Sequence, residues 1–90
     1  MKKAVVTVLG KDSVGIIYNV SGVLADNKIN ILDISQTIVK EYFNMLMIID
    51  GSKMDVSFDE MVNSLDEIGE ELGMSIKCQR EEIFTKMHRI

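Results

Sequence analysis

The segment VVTVLGKDSVGII, residues 5–17, changes its hydrophobic pattern twice and decides the predicted fold. It lies partly within a β-branched apolar run over residues 4–9, which is typical of a strand buried on both faces. A short loop bounded by Gly10 and Gly15 follows. From residue 16 to about residue 27, apolar side chains then recur at helical spacing. The segment therefore predicts a strand, a tight loop and a helix in direct succession.

Two more strands are predicted directly after this helix. Residues 29–39 alternate as a strand, but the isoleucines before and after Leu32 are out of phase, which indicates a β-bulge there. After a short connection, residues 43–49 alternate again between two faces. Because strands joined so closely pair with each other, this part of the chain predicts a β-hairpin.

The last third of the sequence predicts a second helix and a fourth strand. Ser57 and Glu60 have the spacing of a capping box at a helix start, and Gly73 stands where a helix end favours glycine. Residues 74–79 then alternate as a half-buried strand, and residues 83–90 have the apolar spacing of a short helix. The order of elements is thus strand, helix, strand, strand, helix, strand, helix.

This order is the split βαβ arrangement of the ferredoxin-like α+β fold with one added C-terminal helix. We expect a single domain over residues 1–90, with two helices on one face of a four-stranded antiparallel sheet. The other face carries apolar side chains that only the last helix or a second subunit can cover. A chain of this size also has a marginal core. Both arguments predict a homodimer.

Charge and composition exclude several classes of function. The 90 residues carry a formal net charge of −4, and residues 50–71 hold eight acids against Lys53 alone. Nucleic acids need a basic stripe, so direct DNA or RNA binding is not expected. The longest wholly apolar run, residues 45–49, is far shorter than a membrane span. The single cysteine, Cys78, cannot form an intrachain disulfide, which favours a cytoplasmic protein.

Catalytic and metal chemistry is not expected from the remaining residues. His88 is the single histidine, it stands two residues from the end of the sequence, and no metal-ligand spacing accompanies it. Cys78 alternates with apolar residues and is interpreted as a core or interface residue. Tyr42 and Phe43 fit either a recognition platform or the edge of a core. The acidic side chains of the second helix are interpreted as a solvated face in preference to a cation site. We therefore expect no enzyme, metal or cofactor.

The loop from Gly10 to Gly15 has two interpretations. It links a strand to a helix as phosphate-binding loops do, but two isoleucines stand where a Walker motif needs Lys and Ser or Thr. Free N–H groups at the start of the helix could bind a small anion such as a carboxylate. Alternatively, the loop is a tight turn in which Gly10 takes a positive φ and Asp12 or Ser13 caps the helix.

The first loop and the stretch NILDISQ, residues 30–36, resemble the ACT domain, a small ligand-binding module of amino-acid metabolism. In particular, the chain is similar to the stand-alone members of an uncharacterised bacterial and archaeal family, which resemble the glycine cleavage system transcriptional repressor. The resemblance covers essentially all 90 residues. It implies a βαββαβ fold that dimerises and binds a small ligand, typically an amino acid, between the first loop and the neighbouring subunit. The resemblance implies Gly10, Asp12 and Asn30 as ligand-binding residues, and the N–H groups of the loop and helix start add Lys11, Gly15 and Ile16 to the candidate site.

Three departures from the serine-binding members of the family limit what the resemblance implies. Gly10 stands in place of a histidine, Asp12 in place of an amide residue and Val14 in place of a proline. Serine specificity therefore does not transfer, and Asp12 fits either an ammonium partner or a helix cap. The expected function is a non-enzymatic, homodimeric sensor or regulatory module for a small metabolite. The alternative is an interaction adaptor that holds a protein partner and whose ligand site is vestigial.

Overall fold

The computed structural model describes residues 3–11 and 15–82 and has the predicted order of strands and helices over that range. The elements are β1 (Lys3–Lys11), α1 (Ile16–Asp26), β2 (Asn30–Val39), β3 (Tyr42–Asp50), α2 (Phe58–Leu72) and β4 (Met74–Arg80). The helix predicted over 83–90, which includes His88, lies outside the described residues. The ferredoxin-like α+β fold is confirmed.

The four strands form one antiparallel sheet in the order β2-β3-β1-β4. Since β3 is antiparallel to both β1 and β2, those two strands run parallel to each other on either side of it. The β2–β3 pairing is the predicted hairpin, and its register shifts between Ile31 and Asp33, which confirms the bulge at Leu32. The strands β2 and β4 are the two edges of the sheet.

The core lies between the two helices and one face of the sheet. The inward residues of β3 are the alternate positions expected from the sequence, and α2 contributes Met61 and Leu65. The first helix buries one stripe at helical spacing, as predicted. The residues that β1, α1 and β3 bury in this core are Ala4, Val6, Val8, Ile16, Val20, Leu24, Phe43, Met45, Met47 and Ile49.

The ends of α2 follow the sequence signals. The Ser57 hydroxyl accepts a hydrogen bond of 3.1 Å from the Glu60 backbone N–H. At the other end, Gly73 has a φ of 68°, in the left-handed region that glycine enters without a steric penalty. Both predictions, the cap at Ser57 and the stop at Gly73, are confirmed.

The start of α1 differs from the capped turn considered above. Gly15 holds the N-cap position, with a φ of 87° and no side-chain cap from a described residue; the predicted caps Asp12 and Ser13 lie outside the described residues. The expected positive φ thus belongs to Gly15, while Gly10 lies inside β1. A Cβ atom at Gly10 would stand 2.5 Å from the Met74 sulfur. A side chain at Gly10 would therefore have to displace the Met74 side chain, whereas Gly15 is needed for its backbone conformation.

Candidate functional site

The first loop lies at one end of the sheet, between β1 and α1. Gly10 pairs with Phe43 of β3, and the exposed Lys11 pairs with Tyr42, so β1 continues two residues further than its apolar run predicts. The helix begins at Ile16, directly after Gly15. The structure therefore brings these four predicted residues to the same end of the sheet, while the fifth loop residue, Asp12, lies outside the described residues.

The junction between loop and helix is held by Asn19, a residue that the sequence analysis did not single out. The carbonyl of Gly15 accepts a hydrogen bond of 2.8 Å from the Asn19 side-chain amide and one of 2.9 Å from the Asn19 backbone N–H. This double contact fixes the Gly15 carbonyl against the first turn. The signal that could have found it is an amide residue four positions after a glycine at a helix start.

The first turn of α1 can offer backbone N–H groups to a ligand. Helix N-termini carry N–H groups without intrahelical partners, and no side-chain cap occupies them here among the described residues. The side chain of Ile16 is buried in the core, with 2% exposure. Any contact that Ile16 makes with a ligand must therefore use its backbone.

Asn30, the remaining predicted site residue, lies at the opposite end of the sheet. Asn30 and Lys3 both pair with Asp50, so Asn30 is level with the first residue of β1 and not with its last. With a rise of about 3.3 Å per residue, the length of β1 separates Asn30 from the loop by roughly 25 Å. One protomer therefore does not bring Asn30 and the loop into a single site.

The edge strand β2 is exposed over all ten of its residues. Its outer side has no neighbouring strand within residues 3–11 and 15–82. On the helix face of β2 the isoleucines are exposed, because the helices cover β2 less than the other strands, and the first turn of α1 exposes two further apolar side chains. We call this set the β2 surface; its members are Ile17, Tyr18, Ile31, Ile34 and Ile38, with exposures from 38% to 82%.

The remaining chemical candidates are settled by burial. Phe43 is buried and closes the core, whereas Tyr42 is half exposed beside it, so the two do not form a joint aromatic platform. Burial raises the pKa of the Cys78 thiol to about 11.

The part of the chain that the structure describes contains no group of three acids, histidines or cysteines placed to hold a metal ion. None of its helices is long and apolar enough to cross a membrane.

The strand order, the two helices on one face of the sheet and the N-terminus of α1 at Gly15 define a ferredoxin-like domain with a candidate small-ligand site. The sequence profile of the ACT domain matches residues 2–79, and the chain belongs to the ACT-domain family. ACT domains generally serve in regulation by small ligands, and they often dimerise. The family expected from the sequence is thus confirmed.

Relatives and solved structures agree with this assignment. A UPF0237 protein of Bifidobacterium longum is 54% identical over 90 residues, which is the full length of both chains. An ACT domain protein from Streptococcus pneumoniae has 40% identity and a TM-score of 0.79, with 92% of this chain and 93% of that one covered. A protein assigned as a glycine cleavage system transcriptional repressor has 26% identity and a TM-score of 0.76, and the match covers 88% of this chain and 45% of the other.

Proposed function

We propose that this protein is a non-enzymatic regulatory or sensor module that binds a small metabolite, an amino acid, as a homodimer in the cytoplasm. Membership of the ACT-domain family supports a role in small-ligand regulation. The single, half-buried thiol of Cys78 suits a reducing compartment. Among the described residues, the site offers backbone N–H groups and polar side chains for binding but no nucleophile paired with a base.

The main support for a dimer is that Asn30 and the first loop lie at opposite ends of one protomer, so a second copy is needed to bring the two together. The exposed edge and apolar flank of β2 suit pairing with the β2 of a second copy. In an antiparallel pairing, the second strand is reversed, so Asn30 of the second copy lies at the loop end of the first. Each of two symmetric sites then takes its loop from one protomer and its Asn30 from the other.

The chemistry of these residues suits the two charged groups of a free amino acid. N–H groups at the start of α1, together with the Lys11 ammonium, would bind the carboxylate. The Asp12 carboxylate and the Asn30 side-chain oxygen would accept hydrogen bonds from the ammonium group. Gly10 stands where serine-binding members of the family have a histidine, so the proposal extends to the class of amino acids and not to serine.

Calorimetric titration with each of the twenty amino acids tests the ligand class. We expect heat and a rise in melting temperature with one or a few of them, since a ligand that binds only the folded state stabilises it. The substitution Asp12→Ala should weaken that binding. No heat and no thermal shift with any amino acid would contradict the proposal.

A mixed dimer tests whether two protomers share the site. Asp12→Ala and Asn30→Ala chains, carrying different affinity tags, are co-expressed, and the heterodimer is isolated by two successive tag purifications. Both homodimers should bind the amino acid weakly. The heterodimer should recover one site with the parental affinity, because in that site the intact loop of the Asn30→Ala chain faces the intact Asn30 of the Asp12→Ala chain. A heterodimer as weak as both homodimers would place the site within a single chain.

A further inference from the structure

The second edge of the sheet, β4, differs chemically from the β2 surface. Its inner neighbour is β1, and within the described parts of the chain its outer side carries no strand. A cleft of about 350 Å³ runs between this edge and α2. Its lining residues are Asp66, Glu70, Met74, Ser75, Ile76 and Lys77.

The cleft has an apolar base and an acidic wall. Met74 and Ile76 point to the helix face of β4 and are 7% and 6% exposed. Asp66 and Glu70 stand one helical turn apart on α2. Between them Gly69 packs so closely on the strand that a Cβ atom there would be 2.8 Å from the Met74 carbonyl oxygen. This close packing holds both carboxylates beside the open edge.

The charge of α2 determines which partner this edge suits. The helix carries six carboxylates and no basic side chain. The ion pair found within residues 3–11 and 15–82 joins Lys28 and Asp55 and includes neither Asp66 nor Glu70. Lys77 is the basic residue that lines the cleft, against the two carboxylates. Pairing of β4 with a second copy of itself would place two such acidic helices side by side, which like-charge repulsion disfavours.

We propose that β4 binds an extended, basic segment of a partner protein by strand addition. The backbone of that segment pairs with the outer edge of β4. Because alternate side chains of a strand point to one face, its Lys or Arg residues at every second position reach Asp66 and Glu70. This inference is independent of the amino-acid site, since it uses the opposite edge of the sheet.

A random ten-residue peptide display library, selected against the purified full chain, tests this surface. We expect enriched sequences with Lys or Arg at alternate positions, and backbone amide NMR shifts on titration of a synthetic selected peptide should concentrate at residues 74–80. No enrichment, enrichment of non-basic sequences, or shifts centred on β2 would overturn the proposal.

A matched pair of charge variants separates the cleft from general electrostatic attraction. Asp66→Asn with Glu70→Gln should weaken the selected peptide about 3- to 20-fold at low salt. The control, Glu67→Gln with Glu71→Gln, removes the same charge from exposed positions of α2 that do not line the cleft and should change affinity less than about twofold. If both pairs of substitutions lowered the affinity for the peptide equally, the assignment of the peptide-binding site to the cleft would be wrong.

Discussion

Cys78 illustrates how a single side chain loses reactivity through packing. It lies on the helix face of β4, against the core, and burial raises the pKa of its thiol from 9.0 to about 11. At pH 8 the reactive thiolate is therefore about a hundredfold less populated than at the ordinary pKa. We expect slow alkylation by iodoacetamide in the native protein and rapid alkylation in guanidinium chloride, followed by mass spectrometry. Equal rates would contradict this expectation.

The same thiol makes stability depend on pH in the alkaline range. The unfolded chain loses the Cys78 proton near pH 9, whereas the folded chain keeps it until about pH 11. Below pH 9 both states hold the proton, so its contribution is constant. Between pH 9 and 11 the free energy of unfolding should fall, because the unfolded state gains from ionisation. Urea unfolding of the parent and of Cys78→Ala should show a steeper decline for the parent.

At the residue scale, the sequence assigned the positive φ of the first loop to Gly10, whereas the structure has it at Gly15. A glycine can be needed for a positive φ, as at Gly15, or favoured because a side chain would displace a neighbour, as at Gly10. The second constraint comes from Met74, which is sixty-four residues away in the chain and adjacent only in the folded sheet. The residues around a glycine can indicate a positive φ, but they do not show a contact with a residue that is distant in the chain.

At the scale of single elements, two helical glycines should respond oppositely to the same substitution. A Cβ atom at Gly69 in α2 would stand 2.8 Å from the Met74 carbonyl, whereas one at Gly22 in α1 would meet nothing within 4 Å. Gly69→Ala should therefore destabilise the fold by about 1–3 kcal/mol. Gly22→Ala should stabilise it by about 0.5–1 kcal/mol through helix propensity. Chemical denaturation measures both, and a stabilised Gly69→Ala variant would show that α2 does not pack on β4 as described.

Elements were predicted well where their signals are local. The alternation of β3, the cap at Ser57 and the bulge at Leu32 each depend on residues close in sequence, and all three are confirmed. The end of β1 was placed too early, because Gly10 and Lys11 are not apolar. They belong to the strand through pairing with Phe43 and Tyr42, which only the assembled sheet reveals.

At the scale of the whole molecule, the β2 surface predicts where two copies meet. Ile34 lies on the helix face of β2 and is 44% exposed, so a lysine there need not disturb the protomer core. Ile34→Lys should raise the dimer dissociation constant by about one to two orders of magnitude, since symmetry buries the position twice and burial of the exposed 44% of the isoleucine contributes about 0.7–1.3 kcal/mol in each copy. Sedimentation equilibrium measures the constant.

The matched control for this prediction lies on the same strand. Thr37 is exposed on the opposite face of β2, beside Asn44, so Thr37→Lys adds the same charge away from the β2 surface. We expect this variant to remain dimeric, and circular dichroism should confirm that both variants are folded. Equal dimer dissociation constants for the Ile34→Lys and Thr37→Lys variants would show that the interface does not lie on the β2 surface.

The arrangement of the candidate site could not be predicted from single residues. The family resemblance named Asn30 and the loop together, but strand order alone shows that they lie at opposite ends of one protomer. The sequence also predicted a dimer through the sheet face that the two helices leave open. Exposed apolar side chains lie on that open face, at Leu9, Val39 and Tyr42, and also on the helix face of β2, which the helices leave uncovered because of how the elements stack.

The parallel course of β1 and β2 also bears on gene duplication. In a chain that pairs with its own copy in the proposed way, every substitution enters both sites at once, so the loop and Asn30 must be kept in the same gene. The repressor-assigned structure is more than twice as long as the part of it that this chain matches. Where two ACT units are fused and paired within one polypeptide, one unit can lose its loop and the other its asparagine while one complete site survives. Fusion therefore permits the two halves to diverge in a way that a self-pairing chain does not.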